Sequence, residues 1–390
     1  MDKRVTVLTI VPPMYRLYPE FQLCLKMFRE ALPEGSSLVE QEGDDGMLRV
    51  KILEHLVDAA PYVLIVKEPA VIMGKGTVEE LLRVMEENQN ICCVLPSDVL
   101  GYRGGKATPY YTLRGFERFT ESLRDPGVSH MPYDGRPSWM FLARREALSR
   151  MAIPADPLNI PRLLPADEVC ISLNAYIHPF IDYDLATARA EILPLVPENI
   201  TSLLDIGCHT GKFGALAREK FGCRVVGSEI NPQAAEIAKR NLDGVIGDIL
   251  TTAFAEKFDC VTCLDVLEHV RETGLFLRKV RDLLNENGYL LLSVPNVGHW
   301  SIVEDLLAGR WDYIPAGTLC ITHLRFFTKK TIEAALRDAG FEILSVKEEP
   351  VPPPSPVADA IALLERSGTD IDGKSLFTLS YYILARKRED

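Results

Sequence analysis

The sequence predicts an α/β protein of two domains, the second of which is a parallel sheet with helices on both sides. A length of 390 residues is enough for two ordinary domains. Hydrophobic residues make up 47% of the chain and charged residues 25%, which is enough apolar material for packed cores. From about residue 185 onward, short stretches that are apolar on both faces alternate with helical patterns, as in a sheet buried on both sides.

The second domain, expected at 181–390, alternates strands and helices in a regular order. Strands are expected at 203–207, 224–230, 245–249, 258–266 and 289–294, and helices at 184–195, 211–221, 274–284, 302–307 and 329–339. Two final strands at 341–346 and 378–385 are expected to pair antiparallel at the edge of the sheet. The proline-rich residues 350–356 between them indicate an extended polyproline II connection, with no crossover helix expected.

The first domain, expected at 1–180, is less regular but also mixes strands and helices. Strands are expected at 5–11, 62–66 and 92–95, and helices at 21–31, 48–59 and 78–87.

Composition excludes several classes of function. The net charge of -12 argues against nucleic-acid binding, which requires clustered Lys and Arg. No apolar run has the length of a membrane span, and the start of the chain has no signal-peptide pattern. The nine cysteines lie in apolar segments and are expected to be buried, reduced thiols of a cytoplasmic protein. Cys260 and Cys263 share one strand and should point to opposite faces, so no metal site is predicted there.

The strongest local signal is a glycine-rich turn at 204–214 that follows a strand and begins a helix. Glycines at such a turn let the backbone approach a ligand closely, and the helix N-terminus offers free N–H groups. A dinucleotide-binding protein has a similar turn. Three acidic residues make the prediction of a ligand site more specific, because Asp205, Glu229 and Asp248 lie at the ends of three successive strands. Ligands in this kind of fold bind at the carboxyl ends of the strands, so these carboxylates should face one crevice.

On these residues, positions 184–346 resemble the class I S-adenosylmethionine-dependent methyltransferases, which have a Rossmann-like doubly wound sheet. The matching segments are LLDIGCHTGKFG at 203–214, VVGSEI at 225–230, VIGDI at 245–249, FDCVTCLDVLEHV at 258–270 and GYLLLSVPN at 288–296. The resemblance implies that S-adenosylmethionine is the cofactor. It departs from the family at His209, where a glycine is usual.

The resemblance also implies which residues bind the cofactor. Asp205, Gly207 and Gly211 would frame its methionine part, Glu229 its ribose, Asp248 and the Ile249 backbone its adenine, and Leu264 with Asp265 its sulfonium. The whole expected set is Asp205, Gly207, Cys208, Gly211, Glu229, Ile230, Asp248, Ile249, Leu264 and Asp265. The open alternative is a domain that keeps this shape and has lost its ligand.

Residues 293–313 and 322–332 resemble a bacterial subgroup associated with polysaccharide genes, which implies a sugar or glycan-linked hydroxyl as methyl acceptor. A hydroxyl needs a base to remove its proton, and histidine has a suitable pKa. His269 and His323 are the candidates, with His299 as a third. Each of them has a structural alternative, such as capping or packing a helix.

The first domain weakly resembles family 2 glycosyltransferases of the glycosyltransferase-A type. Those enzymes hold a metal–diphosphate with aspartates after a central strand, where this chain has Lys67 and Glu68. A lone carboxylate beside a lysine is a poor site for a hard dication, although Asp44, Asp45 and Asp98 remain available. The domain is therefore expected to be degenerate and to bind a substrate or partner. The alternatives are a bifunctional glycosyltransferase/methyltransferase and a non-catalytic scaffold of a glycan-assembly complex.

Overall fold

The structure is a computed structural model, and it describes residues 4–11, 18–43, 45–98, 110–124, 129–137, 139–179, 189–252 and 256–388. The chain divides into two compact units. The first comprises Met1–Ile181 with Asp312–Ala316, and the second Asp182–Trp311 with Gly317–Asp390. Within the described ranges, no helix has both the length and the apolar character needed to cross a bilayer.

The first unit is built around a mixed sheet of eight strands. The strands are β1 (Val5–Val11), β2 (Ser37–Glu42), β3 (Tyr62–Val66), β4 (Val71–Met73), β5 (Cys93–Asp98), β6 (His130–Pro132), β7 (Met140–Arg144) and β8 (Val169–Pro179). The helices are α1 (Pro19–Glu30), α2 (Asp45–His55), α3 (Thr77–Glu87), α4 (Leu113–Ser122), α5 (Arg145–Ser149) and α6 (Ile160–Leu163). Asp45 and Gly46 begin α2, whereas Asp44 lies outside the described residues.

The strand order of this first sheet is β2-β1-β3-β7-β5-β8-β4, with β6 paired to β8. β1 pairs parallel with β2 and β3, and β5 pairs parallel with β8. β7 lies between β3 and β5 and is antiparallel to both. The strands and helices expected for this part of the sequence are all present, with bounds shifted by a few residues at their ends.

The second unit is a sheet of seven strands with helices between them. The strands are β9 (Ser202–Ile206), β10 (Arg224–Ser228), β11 (Gly244–Ile246), β12 (Phe258–Leu264), β13 (Leu284–Pro295), β14 (Phe341–Pro350) and β15 (Thr378–Lys387). The helices are α7 (Lys212–Phe221), α8 (Pro232–Asn241), α9 (Thr273–Asp282), α10 (Trp300–Leu307), α11 (Lys329–Asp338), α12 (Ser355–Arg366) and α13 (Gly373–Leu376).

The strand order of the second sheet is β11-β10-β9-β12-β13-β15-β14. The first five strands are parallel to one another, and β15 runs antiparallel to both β13 and β14. The predicted parallel sheet and the antiparallel pairing of the last two strands are both confirmed. β15 enters between β13 and β14, so the edge strand is β14.

Two predictions for this unit need correction. The part of the expected 184–195 helix that the structure describes is a short 3-10 helix, Ala190–Leu195, with Pro194 in its last turn. The connection between β14 and β15 contains α12, which sequence reasoning missed. Ser355 and Pro356 begin that helix, where a proline is tolerated because its position has no intrahelical N–H bond.

The two faces of the second sheet carry separate cores. Cys263 packs with the helices of one face and Cys260 with those of the other, and both thiols are buried. The prediction that these cysteines point to opposite faces is therefore confirmed.

Close packing at Gly227 sets how near the turn after β9 approaches β10. A Cβ atom at Gly227 would lie 2.4 Å from Cys208 Sγ and 2.7 Å from Leu242 Cδ1. Gly244, on the neighbouring strand β11, has Val226 Cγ2 at 3.9 Å as its nearest neighbour. The strand position of Gly227 therefore has no room for a side chain.

We expect Gly227→Ala to lower the free energy of unfolding by about 1–3 kcal/mol, because overpacking forces neighbouring atoms to shift. The matched change Gly244→Ala should stay within about 0.5 kcal/mol of the parent chain. Chemical denaturation of the three proteins measures both values. Equal stabilities for the two variants would contradict the close-packing argument.

Candidate functional site

The turn after β9 is held against the end of β10 by backbone hydrogen bonds. The N–H groups of Gly207 and Cys208 both donate to the carbonyl oxygen of Ser228, at 2.8 and 3.1 Å. Gly207 has φ 72° and Gly211 has φ 79°, in the left-handed region that favours glycine. The turn then leads directly into α7, whose N-terminal N–H groups point toward the same edge of the sheet.

Glu229 joins this turn to the next strand connection. Its Oε2 accepts from the His209 N–H at 2.8 Å, and its Oε1 accepts from the Asn231 N–H at 2.7 Å. On the other side, Ser228 Oγ donates to the Gly247 carbonyl oxygen at 2.8 Å. A carboxylate has about four acceptor positions, so Glu229 retains capacity for the hydroxyls of a ligand.

His209, where the sequence departs from the family pattern, adopts φ 48°. This left-handed conformation explains why glycine is usual at that position, since a Cβ atom is disfavoured there. Its Nδ1 is buried with no hydrogen-bond partner among the described residues. The imidazole is therefore accommodated without altering the N–H bond that the turn donates to Glu229.

Asp205 lies beneath the turn and is 3% exposed. Burial raises the pKa of its carboxyl to about 7, partly offset by the hydrogen bond from Thr262 Oγ1 and reinforced by the charge of Glu229. Thr262 Oγ1 lies 2.7 Å from Asp205 Oδ1. A cationic group of a ligand would favour the ionised form of this carboxyl.

The third acidic residue, Asp248, follows β11 and is half-buried. Its Oδ1 accepts from the Leu250 N–H at 2.9 Å, which orders the loop that follows. Ile249 is buried, whereas Ile230 is 79% exposed and Leu250 41% exposed. Exposed aliphatic side chains next to strand-end carboxylates suit a ligand that has a flat apolar ring and polar edges.

Asp265 follows β12 and carries backbone strain, with φ 54° for a residue that is not glycine. Its Oδ1 accepts from Ser293 Oγ at 2.6 Å, and its Oδ2 pairs with the Arg189 guanidinium. The strain and the ion pair both fix the Asp265 carboxylate at the carboxyl end of the central strands. Leu264, the residue before it, is half-buried.

The structure brings the two predicted histidines together. The ring centroids of His269 and His323 are 4.8 Å apart, and the rings are nearly perpendicular. His269 Nδ1 lies 3.2 Å from the Thr322 carbonyl oxygen, and His323 Nδ1 lies 2.8 Å from that of Thr318. Because a carbonyl oxygen only accepts, each Nδ1 carries the hydrogen in the neutral ring, and Nε2 carries the lone pair.

The histidine pair is partly buried, on the side of His323 and Glu268. Burial lowers the pKa of His323 to about 4, so its ring is neutral at pH 7. Glu268 is 1% exposed, and burial together with the charge of Asp265 raises the pKa of its carboxyl well above the ordinary value. The Glu268 carbonyl oxygen accepts from the N–H groups of Leu324 and Arg325. These bonds fix the segment that carries His323 next to the segment that carries His269.

The same residues are the group that could hold a metal ion within the described ranges. One ligand atom each from Glu268, His269 and His323 lie within 4.8 Å of one another. The Nδ1–H bonds to backbone carbonyls are the kind of support that metal-ligating histidines have. Sequence reasoning named no metal ligands in this part of the chain, so this cluster is a candidate metal site that the sequence did not predict.

His299, the third candidate base, lies elsewhere. It is fully buried at the N-terminus of α10, where its side chain accepts from the Ser301 N–H. Burial lowers its pKa to about 4. This is the capping role that the sequence left open, and a fully buried ring does not face a crevice.

Sequence reasoning missed four residues that shape the site. They are Arg189, Thr262, Glu268 and Ser293, and each contacts a predicted residue or lies beside one. Glu268 had a local signal, since it directly precedes His269. Thr262 and Ser293 become neighbours of Asp205 and Asp265 through strand register, which pairs Asp205 with Thr262 and Leu264 with Ser293, whereas Arg189 reaches Asp265 from the segment before β9.

Residues 176–346 match the family model described as a methyltransferase domain. A ubiquinone biosynthesis O-methyltransferase of Azorhizobium caulinodans is 34% identical over 155 residues, which are 36% of this chain and 58% of that protein. The (S)-coclaurine N-methyltransferase of Papaver somniferum is 29% identical over 154 residues, 36% of this chain and 42% of that protein. The matched segment thus spans less than two thirds of each relative.

Among solved structures, a SAM-dependent methyltransferase from Archaeoglobus fulgidus gives a TM-score of 0.39 at 18% identity, covering 52% of this chain and 94% of that one. The family match coincides with the sheet and crevice described above. By the family match, the second unit contains a methyltransferase domain, and S-adenosylmethionine is the cofactor that this match indicates.

Proposed function

We propose that the second unit transfers a methyl group from S-adenosylmethionine to a hydroxyl of a small molecule, a sugar or a glycan-linked compound. The observation that carries the proposal is the lateral hydrogen bonding at the strand ends, which joins the turn after β9 to Glu229 and on to Gly247, next to Asp248. Two of the carboxylates expected to bind the cofactor, Glu229 and Asp248, thereby belong to one hydrogen-bonded edge.

In this proposal Asp205 and the turn at Gly207 hold the methionine part of the donor, and Glu229 accepts from the ribose hydroxyls. Asp248 and the exposed side chain of Ile230 flank the adenine. Asp265 lies beside the sulfonium, whose positive charge its carboxylate would stabilise. The donor is already activated, so much of the acceleration comes from holding the acceptor oxygen in line with the methyl carbon.

The acceptor atom is proposed to be oxygen because a proton acceptor lies close by. As the new C–O bond forms, the C–S electron pair returns to sulfur and the hydroxyl proton leaves to a base. His269 Nε2 is the first choice and His323 Nε2 the second, since each ring is oriented by an Nδ1–H bond to a carbonyl but burial lowers the pKa of His323 to about 4. The named relatives include O- and N-methyltransferases, so this choice depends on the histidine pair.

A second candidate role for the same cluster is to hold a divalent cation on Glu268, His269 and His323. Carboxylate and imidazole ligands suit zinc, iron and manganese. A bound cation would help a hydroxyl acceptor lose its proton without a histidine base. The two roles differ in what a chelator does, and that difference provides a test.

For the first unit we propose a binding or positioning role, not sugar transfer. Its sheet places the antiparallel strand β7 between the parallel strands β3 and β5, an arrangement that supports a glycosyltransferase-A-like domain. After β3, the Lys67 ammonium lies 4.7 Å from the centre of the Trp139 ring. Glu68 is buried next to it, so this strand end offers a metal ion one carboxylate beside a cation.

We expect Glu229→Ala to raise the dissociation constant for S-adenosylmethionine about 10- to 150-fold, because hydrogen bonds to a charged group contribute roughly 1.5–3 kcal/mol. Glu229→Gln, which keeps an oxygen acceptor for one backbone N–H, should fall between Ala and the parent. Glu236→Ala, on the exposed face of α8, is the control. Calorimetry that gives the same constant for Glu229→Ala and the parent would show that the ribose is bound elsewhere.

Replacing the proton acceptor should lower turnover without changing donor affinity. We expect His269→Gln to reduce methyl transfer to hydroxyl acceptors about 10²- to 10⁴-fold, measured with methyl-labelled donor and a panel of sugars and polyols. Burial lowers the pKa of His323 to about 4, so that ring stays neutral from pH 7 to pH 5, and a loss of rate in this range would come from another group, such as the Asp205 carboxyl. Unchanged turnover in both His323→Gln and His269→Gln would exclude histidine as the base.

If the cluster holds a required cation, a chelator should abolish transfer and a divalent ion should restore it. In that case Glu268→Gln, His269→Gln and His323→Gln should each lower the metal content measured by elemental analysis. Full activity in chelator, with metal-free protein, would leave the histidine base as the surviving role.

We expect the intact chain to release no nucleoside diphosphate from nucleotide-sugar donors in the presence of Mg²⁺ or Mn²⁺, because Lys67 and Glu68 replace the expected aspartates. A panel of donors and a coupled assay for the free nucleotide measure this. Metal-dependent release that Glu68→Ala abolishes would instead establish active sugar transfer.

A further inference from the structure

A cavity of about 630 Å³ lies in the second unit outside the residues assigned to the donor. Its apolar lining comes mainly from two helices: Trp300, Val303 and Leu307 of α10, and Val357, Ile361 and Leu364 of α12. Small-molecule sites have volumes of roughly 300–1,000 Å³ and are lined mostly by apolar side chains. The size and the lining both fit a ligand with a substantial apolar part.

Two leucines of the cavity lining remain exposed to solvent. Leu307 is 84% exposed and Leu364 46% exposed, one on each of the two helices that line the cavity. Exposed apolar side chains that share a cavity mark a site for an apolar ligand more than single exposed leucines do.

A short stretch of chain connects the cavity to the proposed donor site. Gly298 lines one end of it, and the Gly298 N–H donates to Asn296 Oδ1 at 2.9 Å, just beyond the carboxyl end of β13. Ser293, five residues earlier, donates to Asp265. Five residues span at most about 18 Å, so one molecule can reach from the cavity to the Asp265 carboxylate.

The rim of the cavity carries charges of both signs, most of which have partners. Lys329 pairs with Glu348 at 2.9 Å, and Asp372 Oδ1 accepts from the Ser375 N–H at 3.0 Å. Glu304 and Lys330 complete the rim. A mixed rim gives no net attraction for a polyanion and suits an uncharged polar group with hydroxyls.

Trp300 forms a fixed wall of this cavity. It is 8% exposed, and its indole N–H donates to the Val351 carbonyl oxygen at 3.0 Å. A ring anchored by its N–H and surrounded by aliphatic side chains offers an apolar surface to the cavity.

We propose that this cavity, defined by Trp300, Val303, Leu307, Val357, Ile361 and Leu364, binds the apolar tail of an amphiphilic methyl acceptor whose uncharged, hydroxyl-bearing head lies at the donor crevice. This inference rests on the proposed methyl transfer and narrows its acceptor to a molecule with an alkyl or similar apolar portion. A free sugar would leave the cavity unused.

Alkyl glucosides test the proposal because they join a hydroxyl-bearing head to a tail of chosen length. Methyl, hexyl and octyl β-glucoside, kept below micelle-forming concentrations, are titrated into the full chain by calorimetry. Affinity should rise by up to about fourfold for each methylene that the cavity accepts. A flat series across the three tails overturns the proposal.

Matched variants localise the binding. Leu364→Glu, at the cavity, and Ala360→Phe, which fills it, should remove the dependence on tail length. Leu275→Glu changes a leucine of similar exposure on α9, 54% against 46%, and should leave it intact. If Leu275→Glu loses the dependence as fully as Leu364→Glu, the tail binds elsewhere and the proposal is wrong.

Two further measurements separate the possible failures. Donor binding is measured on the same samples. Intact donor binding with a flat glucoside series overturns this inference alone, whereas a steep series without donor binding overturns the proposed methyl transfer.

Light scattering tests whether a second copy of the chain covers the exposed leucines of the cavity. A dimer that Leu364→Glu converts to a monomer would show that the leucines form a subunit interface, and would also overturn the proposal.

Discussion

The donor crevice depends on one run of hydrogen bonds across the ends of three parallel strands. The turn after β9 donates two N–H groups to the Ser228 carbonyl oxygen, Glu229 accepts from that turn, and Ser228 Oγ donates to Gly247. This run requires the turn to lie directly against β10. Gly227 permits that approach, because any side chain there would meet Cys208. The carboxylates of Glu229 and Asp248 are thus positioned by backbone geometry as much as by their own contacts.

The parts of this arrangement that sequence could predict are those fixed by local chemistry. Strands that are apolar on both faces predict a parallel sheet, and residues such as Glu229 and Asp248 that follow such strands must lie at its carboxyl edge. Glycine in a turn indicates left-handed backbone, as at Gly207 and Gly211. His209 shows the limit of that rule, since an imidazole occupies the same backbone region without a sequence signal for it.

The parts that could not be predicted depend on pairing between distant segments. Nothing in the sequence near Asp265 specifies Arg189 as its partner, and nothing near Asp205 specifies Thr262, because these contacts follow from strand register and from the path of the chain before β9. The proline-rich connection was predicted in part, for a different reason. Pro354 is extended, at φ -63° and ψ 154°, but Pro356 lies in the first turn of α12, where the missing N–H costs nothing.

The histidine cluster and the apolar cavity both involve segments that follow neighbouring strands of the second sheet, and together they constrain the acceptor. His269 follows β12, whereas the cavity begins after β13 at Gly298. A hydroxyl that loses its proton at the cluster must lie near the sulfonium, so the rest of the molecule has to extend away from it. The cavity is the apolar space that the second unit offers for such an extension, and its lining makes burial of a polar chain there costly. An acceptor with a polar, reacting end and an apolar remote end satisfies both requirements, and binding energy from the remote end would help to position the reacting one.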